Sequence, residues 1–315
     1  MRAIVLVVAL ASVASLACGR ANPRLTEIVR SEGEASTTTS LQYDSSGRVL
    51  NVDRSVGEEP STDTTRYTWT EDALTQIERT LTLDDFLDVT TTTLEYEQDR
   101  VTTATATRVI LRPDQEPFTV SDEIFEAAYD VARIETLSRS FEDDDGNRSS
   151  TLTAFTYDVN GLIEVRADSV FENNGARDEE ISTVTTIAYE TNRPATITIA
   201  QDEGRETTQT ITYKKGVLEN ALLAIPGLDD FGNELTREGT MDYRYDADER
   251  LSSVTISADG ATTISFELSY AEGDASSLDL MPAEIVTVPL WDLRGGSYDV
   301  IDAKTKVARL VGASW

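Results

Sequence analysis

The chain has 315 residues, 39% of them hydrophobic, so its composition is that of a folded protein with a sizeable core and excludes intrinsic disorder. Its 57 acidic and 27 basic residues give a formal net charge of −30, which argues against nucleic acid as a partner because phosphate binding needs a basic face. The chain has no histidine and one cysteine. We therefore expect no histidine-based catalytic triad, no zinc site and no intramolecular disulfide.

The N-terminal residues 1–17 have the layout of a bacterial secretory signal peptide. Met1 and Arg2 precede an apolar run at residues 3–11 and then small residues, and the run is too short to span a membrane as a helix. The stretch Ser15-Leu16-Ala17-Cys18-Gly19 resembles a lipobox, in which the cysteine becomes the lipid-bearing first residue of the mature protein.

We therefore expect lipidation at Cys18, with a plain signal peptide cut nearby as the alternative. A lipid on Cys18 predicts an exported bacterial protein whose partner is a membrane, reached through the N-terminal lipid, in the periplasm or at the cell surface. Residues 18–30 then form a tether, since Asn22 and Pro23 interrupt regular structure.

An aromatic residue beside an acid or a turn residue recurs nine times, each time with an apolar pair within about ten positions. The spacings are 24 to 33 residues, a period typical of one copied and stacked supersecondary unit. The nine aromatic anchors are Tyr43, Trp69, Tyr96, Tyr129, Tyr157, Tyr189, Tyr213, Tyr245 and Tyr270.

Between the turns, apolar and polar residues alternate with period two, and Thr, Val, Ile and Tyr dominate, which predicts half-buried strands. Residues 264–270 are the clearest case. Residues 122–133 are the weakest point of this interpretation, because Ile124, Phe125, Ala128 and Val131 fit one or two helical turns. Nine units of two strands predict an all-β fold, a long antiparallel meander of repeated hairpins with about 16–18 strands over residues 31–280.

Each unit has one compact turn after the aromatic anchor and one longer, acidic turn. In an up-and-down meander all turns of one kind lie along one edge, so the acidic turns are expected to form a rim. The tip Asp143-Asp144-Asp145-Gly146-Asn147 supplies oxygen ligands, and Asp143, Asp145 and Asn147 are weak candidates for a metal site beside the simpler interpretation of a solvated hairpin tip.

The units resemble YD repeats, the strand-turn-strand elements of bacterial RHS-type and cell-surface proteins. The copies Tyr43-Asp44, Tyr157-Asp158 and Tyr245-Asp246, each followed by a compact turn, carry this resemblance. It implies a wound β-sheet shell in a bacterial cell-envelope lipoprotein and no particular reaction. The family's self-cleaving signature, Asp-Pro-x-Gly-Leu, is absent from the sequence, so the resemblance implies neither autoproteolysis nor a released toxin.

Open twisted sheets rarely exceed about ten strands, so a sheet of about 16–18 strands is expected to curl or close. Curling or closing also removes its apolar face from water. We expect one curled sheet or a flattened barrel whose walls touch, with residues 281–315 as a C-terminal cap of the same domain. The apolar residues before Trp315 also resemble the end strand of an outer-membrane barrel, which is the alternative.

The function predicted from these features is a non-catalytic, secreted envelope lipoprotein that acts as a binding or surface-structural module. Its acids are too numerous for any carboxylate pair to be nominated as catalytic, so we predict no enzyme activity and no cofactor. The ligand is expected to be an envelope protein, a glycan or an apolar molecule, and its binding residues are not identified by the sequence. The alternative function is that of an outer-membrane β-barrel protein.

Overall fold

The computed structural model describes residues 24–271 except for short gaps at 58–62, 72, 84–85, 98–99, 114, 131–132, 160–161, 174–175, 191–192, 202–205, 215–216, 229–233, 248–249 and 259–260. All regular structure in this part of the chain is β-strand. The strands are β1 (Arg24–Glu32), β2 (Ala35–Tyr43), β3 (Val49–Val56), β4 (Asp63–Thr70), β5 (Ala73–Leu83), β6 (Phe86–Glu97), β7 (Arg100–Leu111), β8 (Phe118–Asp130), β9 (Arg133–Asp143), β10 (Arg148–Tyr157), β11 (Leu162–Asn173), β12 (Ala176–Glu190), β13 (Arg193–Gln201), β14 (Glu206–Lys214), β15 (Val217–Leu228), β16 (Glu234–Tyr245), β17 (Leu251–Ala258) and β18 (Ala261–Ala271).

The sheet closes on itself. Each strand pairs antiparallel with the next along the chain, and β18 pairs with β1, so the 18 strands form a barrel without a free edge. The seam is in register over most of its length, with Ile28 opposite Leu268 and Arg30 opposite Phe266. The predicted all-β meander of repeated hairpins is confirmed.

The sheet begins earlier than the sequence suggested. β1 starts at Arg24, so residues 24–30, expected to belong to the tether, are a strand that pairs with both β2 and β18. The signal peptide, Cys18 and the C-terminal cap at residues 281–315 lie outside the described residues.

The segment with ambiguous helical character is also a strand, since β8 runs through residue 130. Phe125, Ala127 and Tyr129 alternate along it, and all three belong to or pack against the core, while Ile124 is exposed. Pairing with β7 and β9 on both sides therefore overrides the local helical spacing.

The interior of the barrel is filled by side chains near the edge that carries the aromatic anchors. Every strand contributes at least one buried apolar residue, and almost all of these residues form a single cluster. Phe266, Ile77, Ile134 and Ile197 are among those with almost no exposed surface. Side chains alone do not fill a round barrel of 18 strands, so the single apolar cluster indicates a flattened cross-section.

A β-bulge at the start of each odd-numbered strand explains the apolar pair of the repeat. In β3, Tyr43 lies opposite Val49 while Gln42 lies opposite Asn51, so Leu50 is the extra residue. The bulge turns two apolar residues three positions apart, Val49 and Val52, onto the same inner face. The same register shift occurs beside each of the other anchors.

The aromatic anchors are the last or next-to-last residues of the nine even-numbered strands. At least five of them donate a side-chain hydrogen bond to a backbone carbonyl on the preceding strand, at the residue immediately before the bulge. These are Tyr43 to Leu25, Trp69 to Val49, Tyr96 to Leu74, Tyr129 to Val101 and Tyr270 to Leu251, at 2.6 to 2.8 Å. A bulge interrupts the backbone ladder, and the anchor's hydrogen bond satisfies a carbonyl at that interruption. We call this end of the barrel the aromatic edge and the opposite end, where odd-numbered strands turn into even-numbered ones, the far edge.

Candidate functional site

Charged side chains line part of the inner wall between the apolar core and the far edge. The sequence alternation that buries Ala104 and Ala106 in β7 also turns Arg108 inward, because residues two apart share one face of a strand. The same rule turns Arg79 of β5 and Arg139 of β9 inward, since each lies two residues beyond a buried residue, Ile77 and Leu137. We call the three arginines and their acidic partners the charged inner wall.

Each of these arginines is paired with an acid on the strand before it. Arg79 donates hydrogen bonds of 2.9 and 2.6 Å to Asp63. Arg108 binds Asp88, and Arg139 binds Glu123 with distances of 3.3 and 2.7 Å. Hydrogen bonding to Asp63 and Asp88 raises the pKa of Arg79 and Arg108, so both guanidinium groups stay charged.

The arginines are more accessible to solvent than their partners. The side chain of Arg108 is 46% exposed and that of Asp88 10%, and the values for Arg79 and Asp63 are 41% and 11%. Each carboxylate therefore lies behind its guanidinium group. Because these side chains face inward, solvent reaches the interior of the barrel from the far edge.

The register of the strands aligns the first two pairs. Arg79 lies opposite Thr90 of β6, and Thr90 lies opposite Arg108 of β7. Leu81 of β5 lies opposite Asp63 of β4 on one side and opposite Asp88 of β6 on the other. With strands about 4.8 Å apart, the backbones of Arg79 and Arg108 are about 10 Å apart.

Small hydroxyl residues continue this polar surface across the inner wall. Thr65, Thr92 and Ser121 are buried among the charged pairs, and Thr151 of β10 shares a 2.9 Å hydrogen bond with Ser169 of β11. On β13, β17 and β18 the described inner-face residues at comparable depth include the apolar Ile199, Ile256 and Ile264.

The weak metal candidates lie at the far-edge turn that follows β9, where Asp143 is opposite Ser121 of β8. The carboxylate of Asp143 accepts hydrogen bonds of 2.8 and 2.9 Å from the backbone and side chain of Asn147, and this bonding lowers the pKa of Asp143. Gly146 adopts a φ of 78° in the same turn. The Asp143 and Asn147 side chains thus hold the hairpin turn, and the described residues contain no group of three or more His, Cys, Asp or Glu suited to a metal ion.

Sequence reasoning missed the charged inner wall because the partners are 16 or 20 residues apart. A usable signal was present: in each of these strands a charged residue occupies a position on the same face as buried apolar residues. Asp63 precedes Thr65 and Tyr67, and all three are buried. Strand pairing then determines which arginine each acid meets.

The outer face of the barrel is dominated by threonine, serine and charged residues. In β6 the outward positions include Thr91, Thr93, Glu95 and Glu97, and in β18 they are Ser265, Glu267 and Ser269. Large exposed hydrophobic residues on the strands are scattered and include Leu50, Leu87, Ile124, Leu152 and Leu222. No helix in the described part of the chain has the length and apolar character needed to cross a membrane.

Comparison with known proteins gives structural matches only. No protein-family model matches the chain, and no curated protein matches it in sequence. A porin-like protein from Bacteroides vulgatus ATCC 8482 is similar over 79% of this chain and 99% of its own, with 14% identity and a TM-score of 0.45. A porin-like protein from Bacteroides uniformis ATCC 8492 is similar over 80% of this chain and 100% of its own, with 13% identity and a TM-score of 0.38. A structure described as TcdB2-TccC3-TEV is similar over 77% of this chain and 16% of its own, with 14% identity and a TM-score of 0.22.

The assignment to a YD-repeat, RHS-like envelope lipoprotein family is wrong. No family model matches the chain, and its repeated hairpins close into one 18-stranded barrel instead of forming an open wound sheet. The periodic aromatic residues that suggested the family have a different physical basis. They lie at the ends of nine β-hairpins in a closed barrel, each beside a register shift.

Proposed function

We propose that this protein is a non-catalytic β-barrel protein of the bacterial outer membrane. The observation that carries the proposal is the closure of 18 antiparallel strands, β1 onto β18, into one barrel. The secretory signal predicted at residues 1–17 is consistent with export. The charged groups inside the barrel are held in arginine–carboxylate pairs, an arrangement that favours binding or a structural role over acid–base catalysis.

We propose that the barrel is held to the membrane by a lipid on Cys18 while its wall stands in water. The polar outer face supports this arrangement, because a membrane-spanning barrel presents an apolar band to lipid, whereas the exposed large hydrophobic residues of this barrel are scattered and its apolar cluster is inside. Replacing Cys18 with Ser tests the anchor. The variant is expected in the soluble periplasmic fraction, and unchanged membrane partitioning contradicts anchoring by lipid.

The second arrangement is a barrel that spans the outer membrane itself. It is favoured by the closed meander with an even number of antiparallel strands, which is the architecture of bacterial outer-membrane barrels. Its wall would then be in contact with lipid.

An environment-sensitive fluorophore distinguishes the two arrangements. It is attached to Thr105→Cys, on the outer face in the middle of β7, and to Val159→Cys, in a turn at the aromatic edge where the side chain is 98% exposed. For a wall in water both labels emit alike in intact membranes. For a spanning barrel the label at residue 105 emits at shorter wavelength and is quenched by brominated lipid, whereas the label at residue 159 is not.

A further inference from the structure

We propose that the charged inner wall binds a small polyanionic ligand, whose carboxylate or phosphate groups pair with Arg79, Arg108 and Arg139. This inference goes beyond the proposed function and holds for either arrangement at the membrane. It rests on the orientation, spacing and accessibility of the three guanidinium groups.

All three arginines are oriented in the same way. In each pair the carboxylate accepts hydrogen bonds from Nε and Nη2, which form one edge of the guanidinium group. No described residue accepts a hydrogen bond from Nη1 of any of the three. A guanidinium group carries five N–H donors, and a second edge therefore remains available for a planar oxyanion.

The acids fix this orientation before a ligand arrives. Asp63 and Asp88 are nearly buried behind Arg79 and Arg108. Each guanidinium group is therefore held at the edge formed by Nε and Nη2, which we call its inner edge, and its other edge is exposed. A side chain that is already immobilised loses less conformational entropy on binding than a free arginine does. Bidentate contact between guanidinium and carboxylate or phosphate is also among the strongest hydrogen-bonded arrangements available to a protein.

The spacing selects a ligand with more than one anionic group. Arg79 and Arg108 lie in the same row across Thr90, with backbones about 10 Å apart. The third arginine, Arg139, lies on the second strand after that of Arg108 and is displaced toward the aromatic edge, since it pairs with Phe125. A single monovalent anion contacts one of these sites, whereas a compact polyanion can span two.

The negative charge of the whole chain does not prevent this binding. The formal net charge is −30, but at physiological salt the Debye length is about 8 Å, so acids elsewhere on the barrel are largely screened from the inner wall. Locally the acid and the arginine of each pair neutralise one another. The charge of each paired acid is therefore largely offset by its own arginine when an anion approaches the outward edge of the guanidinium group.

Titration calorimetry of the full mature protein with citrate and with tripolyphosphate tests the proposal. We expect saturable binding of at least one probe, and the stronger of the two identifies carboxylate or phosphate as the preferred group. Arg108→Gln is expected to weaken binding about tenfold, the loss expected for one charged contact. The matched control is Arg148→Gln, which removes an arginine that is also paired with an acid, Glu142, but on the outer face. It is expected to leave the affinity within about twofold.

Asp88→Asn provides a test that does not depend on removing an arginine. If the wall binds anions, this change removes a competing negative charge while the amide oxygen still accepts a hydrogen bond from the inner edge of Arg108, and affinity rises several-fold. A merely structural pair instead loses thermal stability with no gain in binding. Absence of binding of both probes at millimolar concentration overturns the proposal, as do equal losses from Arg108→Gln and Arg148→Gln or an unchanged affinity in Asp88→Asn.

Discussion

The hydroxyl of Tyr96, near the end of β6, donates a 2.7 Å hydrogen bond to the backbone carbonyl of Leu74, at the start of β5. Leu74 immediately precedes the bulged residue Thr75, where the ladder between β4 and β5 changes register. The same relationship recurs at Tyr43, Tyr129 and Tyr270. A repeated aromatic residue thus satisfies a repeated defect in the backbone hydrogen bonding of the sheet.

Removing one such hydroxyl is expected to destabilise the barrel modestly. Tyr96→Phe keeps the ring in the core and leaves the Leu74 carbonyl without this donor, so the free energy of unfolding is expected to fall by about 1 to 2 kcal/mol. Urea denaturation followed by circular dichroism measures the change. Thr93→Ser, on the outer face of the same strand, is the control and is expected to stay within about 0.5 kcal/mol. An equal effect of both changes contradicts the role given to the hydroxyl.

The inner and outer ion pairs are expected to differ in their contribution to stability. Arg79→Met removes the bidentate partner of the nearly buried Asp63 carboxylate, and we expect a loss of about 2 kcal/mol, less than for a fully buried pair because the guanidinium group is partly exposed.

The control for Arg79→Met is Arg148→Met on the outer wall, where both Arg148 and Glu142 are more than half exposed. This change is expected to cost less than about 0.5 kcal/mol. Chemical denaturation of both variants in the same buffer makes the comparison. If the two losses are alike, Asp63 does not depend on Arg79 for its burial.

A glycine at the far edge is expected to be required for its backbone conformation alone. Gly146 has a φ of 78°, and a Cβ added there meets no heavy atom within 4 Å. Gly146→Ala is therefore expected to cost about 1 kcal/mol through backbone strain without any steric clash. Gly146→Asn, which tolerates this conformation better, is expected to cost less. Thermal unfolding ranks the two variants, and an equal loss in both contradicts the assignment to backbone strain.

The turn at Asp44 is expected to add to the pH dependence of stability. Burial works to raise the pKa of Asp44, but hydrogen bonds from the Arg48 backbone and side chain and from the Ser46 backbone outweigh it, and the pKa is lowered overall. A carboxyl group with a lowered pKa in the folded state stabilises the fold above its unfolded pKa, and this contribution is lost as the pH falls through the folded value. Stability attributable to Asp44 is thus present at neutral pH and lost in the acid range below about pH 4.

Replacing Asp44 with Asn removes this contribution. The variant is expected to be less stable than the parent at neutral pH, with a difference that shrinks as the pH is lowered through the acid range. Unfolding measured at a series of pH values gives both curves. Glu267→Gln, on the exposed outer face, is the charge-matched control. A constant difference between the Asp44→Asn and parent curves at all pH values contradicts the prediction.

The sequence by itself determined the repeating unit of this barrel. Nine aromatic anchors, alternating strands and two kinds of turn specified nine hairpins, because side-chain periodicity and turn chemistry are local properties of the chain. The helical appearance of residues 122–133 was misleading for the same reason, since local spacing does not include the pairing of β8 with its two neighbours.

Only the tertiary structure decided how the ends meet and which charges pair. The contact of β1 with β18 joins residues more than 230 positions apart, and no local pattern encodes such a pairing. The pairing of Asp88 with Arg108 likewise depends on the register of β6 against β7, which brings distant residues onto one inner face. Closure and register are cooperative properties of the whole sheet, since each strand is fixed only when both neighbours are in place.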